Sequence, residues 1–223
     1  MNLKAITDCI SQYKRIIEDP QYDGWTLWEL TTRFQDNWNQ ESHDFKKMFE
    51  DCFAINSPLW HRDDYYPKKA MQRYIDLNED LVRSIFKDLF NEDREVVGRI
   101  SRFMFQCDEL YRTERSKFTN VEPHFHSDRR MIHLYLGFRY PDNYALYNFP
   151  HFKAFMNKIG TKTIAEEEDI DRFIKVCKTL STLIQKDEEL TTFVRNCDLN
   201  PSRGELYPML IVFELYSLVD YYN

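Results

Sequence analysis

Glycine is scarce in this 223-residue chain, with only Gly24, Gly98, Gly137, Gly160 and Gly204 scattered along it. Hairpin turns and phosphate-cradling loops need glycines at close spacing, so a β-rich or doubly wound nucleotide-binding fold has little material here. No run of about 18 apolar residues occurs, which argues against a membrane-spanning helix. The opening stretch MNLKAITDCISQYKRIIED mixes charged with apolar positions instead of forming a signal-peptide core, and the expectation is a cytoplasmic protein with no membrane partner. The five cysteines, Cys9, Cys52, Cys107, Cys177 and Cys197, are far apart and form no C-x-x-C pair. Neither a disulfide framework nor a zinc ribbon is indicated, and they read as reduced core thiols. The phosphate-binding G-x-x-x-x-G-K-[ST], the nucleophile elbow G-x-S-x-G and the zinc motif H-E-x-x-H are all missing. The chain by itself is therefore expected to be neither a nucleotide hydrolase nor another enzyme, and to need no cofactor.

What is present is helical periodicity. Hydrophobic residues make up 43% and charged residues 30%, as in an ordinary globular protein. Leu3, Ile6, Ile10, Tyr13 and Ile17 form one stripe, which Pro20 and Gly24 should end. Trp25, Trp28, Phe34 and Trp38 mark a second helix, and Ser42 reads as the N-cap of a third bearing Phe45, Met48, Phe49 and Cys52. Asn78 should cap an amphipathic helix with Leu81, Val82, Ile85, Phe86, Leu89 and Phe90, which packs on a longer one running from Val96 to Tyr111. Further helices are expected with Glu166 to Asp169 in a first turn, around Leu190 to Val194, and from Glu205 to Tyr222. The predicted fold class is all-α, with at most a short β-hairpin or extended element near 144–149. A single domain, 1–223, is expected, with subdomains 1–111 and 124–223 joined by an exposed loop at 112–123.

One stretch departs from the acidic background, which totals −7 with a pI near 5.4. From His124 to Gly160 and just beyond, Arg129, Arg130, Arg139, Lys153, Lys158 and Lys162 face only Asp128 and Asp142, interleaved with Tyr135, Phe138, Tyr140, Tyr144, Tyr147 and Phe149. Cations make phosphate contacts and flat rings stack on bases. A nucleic-acid reader would use Arg129, Arg130, Arg139, Lys153 and Lys158 on phosphates, and Tyr140, Tyr144 or Tyr147 against a displaced base. The alternative is that these rings are core and the cations are the solvated rims of two short helices. Trp60, in the proline-bounded loop with His61 and Arg62, is a second candidate clamp for a base or a partner. His124, His126, Asp128, His133 and His151 also fall in this region, and His-x-His can place two imidazoles together. A metal-dependent enzyme using His124, His126 and His133 is a further alternative, although the spacing fits no established metal motif. The acid pair Asp63/Asp64 and the run Glu166 to Asp169 read more simply as a solvated turn and a helix N-terminus.

Three segments in order, W-E-L-x-x-x-F (Trp28 to Phe34), L-F-N-E (Leu89 to Glu92) and H-x-D-x-R-x-I-x-x-Y-L-x-F-R-Y-P-D-x-Y-x-x-Y (His126 to Tyr147), resemble the N-terminal region of McrB-like restriction proteins. The likeness is most specific from Asp128 to Tyr147. It implies a module that precedes an AAA+ motor using GTP or ATP and cooperates with a separate nuclease subunit, in a restriction or phage-defence system. DNA, bare or modified, is the first partner this implies. A protein-interaction or assembly role without DNA contact is the second; under it Arg130 pairs with an internal acid such as Asp128 and the rings close the core. Gly137 and Asn148 stand where the family pattern has Thr and Lys, which removes one candidate phosphate contact.

Overall fold

A computed structural model of the chain describes residues 2–163 and 166–218, and among these there are eleven helices and no strand. Short polar caps set most of the starts. Asn2, Asp44, Asn78, Asn148, Asp169 and Asp187 each accept from a backbone N–H of the helix that follows. Pro67 and Pro208 open their helices where a missing N–H costs nothing. The third helix is thus capped by Asp44, and the Ser42 hydroxyl instead donates to the Asp44 carbonyl.

The chain divides into two compact units, a terminal one (Met1–Thr32 with Tyr140–Asn223) and a central one (Arg33–Arg139). The division differs from the expected break at 112–123. The sixth helix, α6 (Val96–Lys117), runs on through Lys117, so half of the expected loop is helical. The apolar period fades after Tyr111 because this part of α6 is mostly exposed, not because the helix stops.

In the central unit, α3 (Phe45–Cys52), α4 (Pro67–Leu77), α5 (Glu79–Leu89) and α6 pack on one another. The core of this unit also holds α7 (Arg130–Arg139), in which every residue from Met131 to Phe138 is buried. Tyr135 of α7 lies among the rings of Phe49, Phe53, Phe86 and Phe103 at centroid distances of 5.0–6.4 Å. The Gln35 amide donates to the carbonyls of Phe138 and Arg139, satisfying the end of α7.

The terminal unit contains α1 (Leu3–Ile17), α8 (Phe149–Lys158), α9 (Ile170–Gln185), α10 (Glu188–Asn196) and α11 (Pro208–Ser217). α2 (Trp25–Asn37) begins in this unit. Here α11 is buried on nearly all sides and contacts α1, α8 and α9. The expected terminal helix therefore starts at Pro208, and its expected stretch at 219–222 lies outside the described residues. The segment 144–148 forms no strand or hairpin. It is held instead by Tyr216, whose hydroxyl donates to the Leu146 carbonyl and accepts from the Asn148 N–H.

Candidate functional site

The fold separates the residues that the sequence offers for nucleic acid. Arg129, Arg130 and Arg139 belong to the central unit, whereas Tyr140, Tyr144, Tyr147, Lys153 and Lys158 belong to the terminal unit. Tyr144 and Tyr147 are buried, the Tyr147 hydroxyl donates to the Glu167 carbonyl at 2.7 Å, and its ring packs edge-on against Phe173. Tyr140, half-buried, stands edge-on to Tyr144. Arg139 and Lys158 are half-buried, and Lys153 is exposed above the Phe149 ring. Arg130 is tied to Asp128, with its Nε donating at 2.8 Å. Trp60 is only 1% exposed and packs on Phe53 and Phe138, so it clamps nothing at the surface.

A different grouping takes shape on the central unit, where the loop and helix start at 61–69 meet the loop at 122–130. The Arg130 guanidinium lies 4.1 Å from the Tyr65 ring centroid, and Arg62 and Lys69 approach Tyr65 and Tyr66 at 5.9 Å. Phe125 touches both tyrosines edge-on, and His61 meets Tyr66. The backbone is left-handed at Phe125 (φ 61°) and Arg129 (φ 64°), and φ is 21° at Asp63. Non-glycine residues seldom adopt such values, and they persist only where the surroundings hold them. Charge in this face is nearly balanced: Arg62, Lys68, Lys69, Arg129 and Arg130 stand against Asp63, Asp64, Glu122 and Asp128, with Lys69 paired to Glu122 at 3.4 Å and the Lys68 ammonium donating to the Phe53 carbonyl. His61 and Arg62 are visible in the sequence only as neighbours of Trp60, and the 124–130 loop reaches them only through the fold.

Beneath this face the His-x-His pair turns inward. His124 and His126 are 4% and 0% exposed, and one donor atom from each lies within 4.8 Å of the other and of the Cys107 sulfur on α6. The left-handed Phe125 between them lets both imidazoles enter the interior while its own ring stays half-buried with Tyr65 and Tyr66. His124 Nε2 is 2.9 Å from the Asp108 carboxylate, and His126 Nε2 is 3.3 Å from the Tyr135 hydroxyl. Burial, with the neighbouring His124, pushes His126 down to about 3, so its imidazole is neutral. Burial pushes the Cys107 thiol up. His133, expected as the third ligand, is buried in α7 but is not one of the three converging donors; Cys107 takes that place. Cys107 lies 17 residues before His124 in an ordinary apolar helical stripe, where no motif marks it as a ligand.

The terminal unit buries a carboxyl. Glu214 of α11 accepts from the Tyr13 hydroxyl at 2.5 Å, with Tyr22 and Trp28 also interacting with its carboxyl. Burial raises this carboxyl to about 7 against the opposing pull of the Tyr13 hydroxyl.

No protein-family model, no curated protein and no solved structure matches the chain. Among the described residues no helix is long and apolar enough to cross a membrane.

Proposed function

We propose that this chain is the N-terminal interaction module of an McrB-like restriction or phage-defence AAA+ protein, and that it docks protein, foremost the AAA+ motor, through the face formed by residues 61–69 and 122–130. The observation that carries the reading is that this face is rich in arginine and aromatic rings yet nearly balanced in charge, its cations interleaved with carboxylates. Phosphate binding rests on a net excess of cations. Tyrosine and arginine at the centre of a surface, ringed by charges of both signs, are instead the composition of protein-binding hot spots. Of the rings offered to a base, Tyr144 and Tyr147 are part of the core and Tyr140 is half-buried against Tyr144. The restriction-system setting rests on the resemblance of Asp128 to Tyr147, and the nuclease subunit is the alternative protein partner. The test is co-elution of the chain with the AAA+ motor of such a system in size-exclusion chromatography. The shared peak should disappear with the Arg62→Glu/Tyr66→Ala double variant, and a peak that survives it contradicts the assignment of this face.

A second reading, direct DNA recognition, draws on one observation: among the described residues, Arg62, Arg129 and Lys153 make no ion pair. Under it, removing one of these cations weakens binding to every sequence and lowers the salt slope by about one.

A further inference from the structure

We infer that Cys107, His124 and His126 form a binding site for one zinc-class divalent ion, which locks the His124–Arg129 loop onto α6. Three features of the site point this way. First, a thiol sulfur and two imidazoles converge in the interior with their donor atoms within 4.8 Å, and this is the mixed sulfur and nitrogen set that zinc prefers. Tetrahedral coordination would draw the donors to roughly 3.3–3.7 Å, given bond lengths of about 2.0–2.3 Å. Second, each imidazole already has its outer nitrogen held: His124 Nε2 by the Asp108 carboxylate and His126 Nε2 by the Tyr135 hydroxyl. Such partners fix the tautomer and aim the other nitrogen at the metal. Third, that other nitrogen of His126, Nδ1, is fully buried and has no hydrogen-bond partner, a costly condition that a metal would relieve.

Binding is balanced in protons and charge. The ion replaces the Cys107 thiol proton, which leaves to solvent, and the His124 Nδ1 lone pair exchanges the His126 N–H it now accepts for the metal. One dication and the Cys107 thiolate leave a single positive charge, which the adjoining, half-exposed Asp108 carboxylate offsets through His124. His133 takes no part, and the fourth coordination position is not supplied by these three side chains.

The test uses the full chain. After equilibration with zinc and removal of excess, it should retain one equivalent of metal. Its melting temperature should rise by several degrees over the chelator-treated protein. Cobalt(II) in place of zinc should give a thiolate-to-cobalt charge-transfer band. Cys107→Ser should lose that band, and His126→Ala should lose retention. Cys197→Ser, at a half-buried cysteine in the other unit, should keep both. Because a core variant can fail to fold for its own reasons, the cobalt spectrum of the unaltered chain is decisive by itself. No retained metal, or a cobalt complex without the thiolate band, overturns the inference.

Discussion

In the terminal unit, the helix most deeply buried, α11, carries a carboxyl into the core, whereas in the central unit the equally buried α7 brings a phenol against an imidazole and a thiol. Glu214 is fully enclosed, and burial outweighs the hydrogen bonds by which Tyr13, Tyr22 and Trp28 favour its carboxylate, so its carboxyl rises. His126 is relieved differently. Its buried environment keeps it neutral, its Nε2 is held by Tyr135, its Nδ1 has no hydrogen-bond partner, and one of its ring nitrogens lies within 4.8 Å of donors from Cys107 and His124. The same packing problem, an apolar helix enclosed on all sides, therefore creates a proton-dependent core in one unit and a ligand set in the other.

The largest effect expected from breaking this comparison is Tyr135→Ala, which empties a fully buried site among four phenylalanine rings and removes the hydroxyl that holds His126. It should cost about 3–5 kcal/mol in urea denaturation. A loss below about 1 kcal/mol would show that α7 is not the core of its unit.

Next is the pH dependence of Glu214. Its carboxyl, about 7 in the folded chain against an ordinary 4.5, binds its proton more tightly when folded. Stability is therefore greatest below pH 4.5 as far as this group is concerned, falls as pH rises toward 7, and levels beyond it, a contribution of about 3 kcal/mol. Asp23 and Tyr22 are the other titratable groups facing it besides Tyr13. Melting curves of Glu214→Gln should lack this fall; an unchanged profile would assign the dependence elsewhere.

Tyr13→Phe should be smaller, about 1–2 kcal/mol, and informative in direction. Losing the hydroxyl removes the largest of the hydrogen bonds that favour the Glu214 carboxylate, so the falling part of the profile should extend to higher pH. Smallest is Asn78→Ala at the start of α5, where loss of one capping bond to the Leu81 N–H should cost about 1 kcal/mol, read as a shift in the urea midpoint.

The helices around these cores were legible wherever the stripe was one-sided. Asn78 does cap α5 and α5 does pack on α6, whereas the acids expected in the first turn of α9 precede it: the helix starts at Ile170, Asp169 is its cap and Asp171 is the acid in its first turn. α7 is apolar on all faces and has no period to read; it was reached only through the alternative of core rings on two short helices with cationic rims, while Arg129, Arg130 and Arg139 at its ends made it resemble a surface. α4 was unread because Tyr65, Tyr66 and Pro67 look like a loop. The candidate site was half legible. The His-x-His pair could be seen in the sequence, but its partner Cys107 and the 61–69 loop reach it only through helix packing.

The most direct test of the docking account is a fluorescence-anisotropy titration of the chain against duplex and single-stranded DNA, modified and unmodified, at two salt concentrations. A nearly balanced face predicts no binding tighter than about 10⁻⁴ M even at the lower salt. Salt-sensitive binding that is lost in Arg129→Ala/Lys153→Ala would contradict it and establish the chain as a nucleic-acid reader.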